Sequence, residues 1–121
     1  MASALTFTFR RVKRTGALDA RVREVAERLR RCDERITHCH ISVVAGADGR
    51  PDDPSIAVRI HVSVPGAQVH AESIQADGAR HSDVFLALRD AYDSALRQLR
   101  DLQRDGRKSS LLSAVRGSTA P

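Results

Sequence analysis

Residues 56–64, Ile-Ala-Val-Arg-Ile-His-Val-Ser-Val, are the cleanest β-strand in the chain. Ile56, Val58, Ile60, Val62 and Val64 fall on one side of a period-two pattern, and Arg59 and His61 fall on the other, which is the signature of a strand buried on one face only. Pro65-Gly66 turns the chain, and a fourth strand follows near Gln68 to Ser73. Upstream, the Gly-, Pro- and Asp-rich run AGADGRPDDP at 45–54 reads as a loop. Before it, Ile36 to Val44 alternates again, with Cys39, Ile41 and Val43 inward and His38, His40 and Ser42 outward. Three successive strands with short connections predict an antiparallel meander.

Working outward, Leu5-Thr-Phe-Thr-Phe9 alternates strictly and predicts a first strand with Leu5, Phe7 and Phe9 inward. A helix capped by Thr15 follows, its apolar stripe formed by Leu18, Val22, Val25, Ala26 and Leu29, with Arg21, Arg28 and Arg31 turned away. At the other end of the chain a polar connection covers 75–80. The stretch from His81 to Leu99 then reads as one amphipathic helix, with Ser82 as its cap and Asp83 at the positive end of its dipole. Val84, Leu88, Ala91, Ala95, Leu99 and Leu102 recur at steps of three and four, while Arg89, Arg97, Arg100 and Arg104 project from the opposite face.

The element order is therefore β-α-β-β-β-α. A right-handed crossover makes the first two strands parallel neighbours, so the expected fold is α+β, a four-stranded mixed sheet in order 1-2-3-4 with both helices on one face and the other face open. One domain over 1–105 is expected, followed by a flexible tail over 106–121, where periodicity gives way to Ser, Gly and Pro.

The chain has 121 residues and a net charge of +5, with three Phe, one Tyr and no Trp, so its core must be aliphatic. The charge is segregated. Residues 10–31 carry nine Lys/Arg against three Asp/Glu and residues 97–108 five against two, whereas 32–96 carry five against ten. Two basic segments flanking an acidic middle suit a polyanion, because phosphate contacts and counterion release supply most non-specific nucleic-acid affinity. No apolar run approaches ~18 residues, so no membrane span is expected. The N-terminus places its charges after its apolar residues, the reverse of a secretory signal. Cys32 and Cys39 do not form a disulfide framework, so reduced thiols in a cytoplasmic protein are expected.

The candidate RNA contacts are Arg10, Arg11, Lys13 and Arg14, which lead into the first helix, then Arg21 and Arg28 on that helix and Arg89, Arg97, Arg100 and Arg104 on the last. Short basic runs also serve solubility, and Asp93 stands four residues before Arg97, a spacing that favours an ion pair. No aromatic residue is interleaved on an exposed face in a way that marks a base-stacking platform. His40 and His61 project from adjacent strands on the open face, with His38 and His70 near them, and imidazoles so placed are candidate metal ligands. A ladder of polar surface residues is the simpler account, so no metal or other cofactor is expected. There is no phosphate-binding Gly-rich loop, no nucleophile elbow and no paired acids in an evident pocket. Asp52-Asp53 sits in the turn-forming loop, and neither an enzyme nor a small-molecule substrate is expected.

Several local strings, in this order and spacing, resemble the ribosome hibernation-promoting factor and ribosome-associated inhibitor family, also called sigma-54 modulation proteins, over roughly residues 4–104. They are Thr15-x-Ala17-Leu18, Arg35-Ile-Thr37, Val64-Pro-Gly66, and in the last helix His81-x-Asp83-Val84-Phe85, Ala87-Leu-Arg-Asp-Ala91 and Arg97-Gln-Leu99. The resemblance implies a bacterial, cytoplasmic, non-catalytic factor that docks in the small ribosomal subunit, covers the decoding region and silences translation under stress. Arg21, Arg28, Arg89, Arg97, Arg100 and Arg104 would then contact ribosomal RNA phosphates without reading bases. Ser94 stands where members often carry lysine, and Arg100-Asp-Leu-Gln-Arg104-Asp replaces a lysine-rich helix end. The chain stops before a second domain of the kind that pairs ribosomes, so pairing by this chain alone is not expected. The alternative is a protein-interaction or metal-binding module of the same fold that uses the histidine-bearing sheet face.

Overall fold

The computed structural model describes the backbone over 4–46, 54–75 and 81–116 and the side chains over 4–46, 54–75 and 83–104. Most of the expected 45–54 loop with its Asp52-Asp53 pair, most of the 75–80 connection, the Ser82 side chain and the side chains of the expected tail lie outside the described residues.

The elements follow the expected order: β1 (Ala4–Arg10), α1 (Gly16–Cys32), β2 (His38–Ala45), β3 (Ile56–Val64), β4 (Ala67–Gln75) and α2 (His81–Arg116). They form one four-stranded sheet in order β1-β2-β3-β4. β1 pairs with β2 in parallel, and β2–β3 and β3–β4 are antiparallel. The β3–β4 turn takes only two residues, Val64 pairing directly with Ala67. Gly66 has φ 80°, in the left-handed region that Pro65 before it and the tight turn demand, and only glycine adopts that conformation without cost. β4 extends one residue earlier and two later than its alternation indicates, because backbone pairing with β3 continues past the last buried side chain, Ala71.

The core is the layer between sheet and helices. Leu18, Val22, Val25, Ala26 and Leu29 of α1 and Val84, Leu88, Ala91, Ala95 and Leu99 of α2 pack on Cys39, Ile41, Val43, Ile60 and Val62. Each fully buried Leu, Ile or Val contributes roughly 1.5–3 kcal/mol relative to exposure. α1 starts where it should: the Thr15 hydroxyl accepts the Leu18 backbone N–H at 3.1 Å. Leu5, Phe7 and Phe9 are only half-buried because β1 is an edge strand, and two arginines of the α1 end cover the rings instead.

Two details depart from the simple pattern. Ala57, on the face away from the helices, is fully buried, and Asp33, just past α1, is buried although charged. The Asp33 carboxylate accepts the Arg35 backbone N–H at 2.9 Å and the Arg35 guanidinium at 3.0 and 2.9 Å, so the α1–β2 turn closes around a satisfied charge. The Arg35 guanidinium holds this carboxyl below the usual carboxylate range.

Candidate nucleic-acid interface

Both helices follow strands that point the same way and finish at the same end of the sheet, so they run in the same direction. Three pairings along the seam show it: Arg21 lies over Phe85, Arg28 and Tyr92 line the same depression, and Gln103 reaches Cys32 at the end of α1. The two basic segments therefore sit at opposite ends of the helical layer. Arg10–Arg14 stands at the start of α1 and Arg97–Arg104 beside its end, roughly 25 Å apart at 1.5 Å per helical residue.

Arginines of α1 and the segment leading into it divide between two sides. Arg14 and Arg23 lean toward β1, with guanidinium carbons 4.7 Å over the Phe9 ring and 5.3 Å over the Phe7 ring. Both donate to Asp19, Arg14 Nε at 2.8 Å and Arg23 Nε at 2.9 Å, and these contacts, Arg14 first, hold the Asp19 carboxyl below its ordinary range. Arg14 is therefore a partner of the fold as well as an exposed cation. Arg11 takes a left-handed φ of 59° and donates to the Gly46 carbonyl at 3.5 Å, at the turn that swings the chain from β1 toward α1. Arg10 and Lys13 are exposed.

On the other side, Arg21 and Arg28 point into a groove between the helices of about 480 Å³, shared with Arg89, Phe85, Leu86 and Tyr92. Glu24 partly neutralises the α1 pair, 2.6 Å from Arg28 and 3.8 Å from Arg21. Arg89 has no ion-pair partner among the described residues. Further along α2, Arg97, Arg100 and Arg104 line a second, open depression with Asp93, Leu96 and Asp101. Arg104 donates to Asp101 at 3.2 Å. Asp93 and Arg97 do not form the ion pair that their spacing favours, so among the described residues Arg97 and Arg100 are unpaired cations. Sequence reasoning missed Phe85, Leu86 and Tyr92; Phe85 and Tyr92 share an i, i+4, i+7 stripe with Arg89, one step round from the core stripe, and Leu86 adjoins it. The sequence predicts no aromatic residue on an exposed face, and Phe85 and Tyr92 are half-buried, lining the groove beside the arginines.

The open sheet face carries a row in register, Thr6, His40, His61 and His70. His40 and His61 are neighbours as expected, but their rings engage different partners. His40 Nδ1 shares a hydrogen bond with the Thr6 hydroxyl at 2.6 Å and its Nε2 another with Thr8 at 3.2 Å. Burial, followed by the neighbouring His38 and His61, lowers the pKa of His40. His61 stacks on His70 with ring centroids 4.2 Å apart and planes 10° apart, and shares a hydrogen bond with Gln68. No group of three or more metal-ligating side chains forms among the described residues. No helix among the described residues is long and apolar enough to cross a membrane.

Comparison with known proteins agrees with this architecture. Residues 5–106 match the family described as sigma 54 modulation protein / S30EA ribosomal protein. The Thermus thermophilus Protein Y N-terminal domain superposes with a TM-score of 0.62 at 19% identity, over 84% of this chain and 99% of that domain. A ribosomal subunit interface protein from Coxiella burnetii does so with a TM-score of 0.56 at 18% identity, over 80% of this chain and 98% of that protein. At such identities the likeness shows the shared fold. No curated protein matches the chain.

Proposed function

The chain belongs to the sigma 54 modulation protein / S30EA ribosomal protein family, a family of ribosome-associated, hibernation-type factors, and we propose that this member lays its helical layer on ribosomal RNA of the small subunit. Seated near the decoding channel in the cytoplasm, it inhibits translation under stress by occupying space that messenger and transfer RNA need. The mechanism is occupancy, with no bond made or broken.

The observation that carries this reading is the cationic stripe along the helical layer. It begins at Arg10, Arg11, Lys13 and Arg14, continues through Arg21, Arg28 and Arg89 in the seam, and ends at Arg97, Arg100 and Arg104. Arg89, Arg97 and Arg100 spend no charge on an ion pair among the described residues, so their donors remain available to phosphate oxygens. On the opposite face Arg59 is tied to Glu72, and His40 is biased toward its neutral form, which leaves the helical side as the polyanion-facing one at neutral pH.

Sucrose-gradient sedimentation of the full chain with separated ribosomal subunits tests it. Co-migration with the small subunit at low salt, lost at high salt, is expected. Migration with the large subunit alone, or with neither, would refute the assignment.

A further inference from the structure

The groove between α1 and α2 has a chemistry that phosphate contact alone does not require. Its volume of about 480 Å³ is within the ~300–1,000 Å³ range of sites that hold small ligands. Its walls are guanidinium groups from both helices, but its floor is aromatic and aliphatic. Phe85 and Tyr92 are half-buried there, and Leu86 keeps 42% of its surface exposed, one of only two large hydrophobic side chains so exposed among the described residues. A purely solvated helix face gains nothing from an exposed leucine between arginines. Cationic walls around a planar apolar floor match one chemical unit well, a nucleotide, whose base has an apolar π-face and whose backbone carries a phosphate.

We propose that this groove takes a single unstacked nucleotide of single-stranded RNA, its base against Leu86 and Tyr92 beside the Phe85 ring that Arg21 overlies, and its phosphate on Arg89 and Arg28. The inference rests on the RNA reading above and adds to it a pocket for a base splayed out of its strand. Arg89 is the primary phosphate donor, because it has no ion-pair partner among the described residues, whereas Arg28 and Arg21 share Glu24. Asp93 lines both this groove and the next, and its charge keeps the phosphate at the Arg89 side. The contact is sequence-tolerant, since every base offers a π-face and no base-edge partner is assigned. Duplex RNA is excluded because its bases are paired and stacked.

The chain supplies its own probe. Tyr92 is the sole tyrosine and there is no tryptophan, so intrinsic emission reports on this groove alone. The full chain is titrated with a short uridylate oligomer, with duplex RNA, and with inorganic polyphosphate of matching charge. Free tyrosine corrects for absorption, and the anisotropy of end-labelled oligomer gives total binding in parallel. Uridylate is expected to quench Tyr92, and duplex and polyphosphate are expected to bind without quenching. Arg89→Gln should weaken the quenching affinity about tenfold, the loss of one charge-assisted contact, while Arg59→Gln on the opposite face leaves it unchanged. Quenching by polyphosphate as strong as by uridylate would show an anion site without a base pocket and overturn the proposal. RNA binding by anisotropy with Tyr92 emission unchanged would also overturn it and leave the wider RNA reading standing. Failure to bind any RNA would remove both.

Discussion

Gln103 of α2 donates a 3.1 Å hydrogen bond to the backbone carbonyl of Cys32, the last residue of α1. That carbonyl is one of the four a helix end leaves without a partner, and satisfying it from the neighbouring helix locks the two helices in phase. Gln103 also contributes, after Arg35, to holding the Asp33 carboxyl low, so one side chain links the end of α1 to the part of α2 that carries Arg97, Arg100 and Arg104.

Asp33 gives that joint a pH dependence. Its folded pKa lies below the unfolded value of ~3.9 because Arg35 binds the carboxylate, so its contribution to stability is fully present above that value and is lost as pH falls through the folded one. Urea unfolding as a function of pH should show stability declining below about pH 4. Asp33→Asn should cost about 1–2 kcal/mol at pH 7 and flatten that decline. An unchanged acid limb in the variant would show that the turn does not depend on the charge.

His40 behaves in the opposite chemical sense with the same direction in pH. Burial favours its neutral ring in the fold, so the unfolded chain takes up protons first and stability falls as pH drops below the unfolded histidine value of ~6.5. In His40→Asn the slope of stability between pH 6.5 and 5 should be shallower than in the parent. A steeper slope would place the sensitivity elsewhere on the sheet.

Only one thiol should react in the native protein. Cys39 is buried in the core and its pKa is pushed up to about 11, whereas Cys32 is exposed. A chromogenic disulfide reagent should titrate one thiol per chain rapidly and the second only in denaturant. Rapid labelling of both would mean that β2 opens far more readily than its packing implies.

Salt dependence separates phosphate contact from other docking. If about six phosphates are neutralised, affinity should fall roughly a thousandfold between 50 and 200 mM salt. A nearly flat dependence, measured by co-sedimentation at several salt concentrations, would indicate a protein-dominated interface.

Much of this was legible in the chain itself. Strict alternation at 56–64 and 36–44 located the sheet, the stripes from Leu18 and Val84 located the helices, and the crossover rule ordered the strands. The site was less legible, for physical reasons. Phe85, Arg89 and Tyr92 lie at the border of the α2 core stripe, and periodicity cannot say whether a border residue faces the core, a neighbouring helix or solvent. Asp93 and Arg97 have ideal spacing for an ion pair, yet rotamer choice left them apart. The pairing of His61 with His70, and of His40 with Thr6 and Thr8, follows from strand register and side-chain rotation together, and no one-dimensional pattern encodes both.

The most direct test reverses the charge where α2 is unpaired. Arg97→Glu/Arg100→Glu changes two exposed side chains and should leave the thermal unfolding midpoint within a few degrees of the parent. In low-salt sucrose gradients the double variant should stay at the top while the parent moves with the small subunit. A folded double variant that still co-migrates with the small subunit would contradict the account.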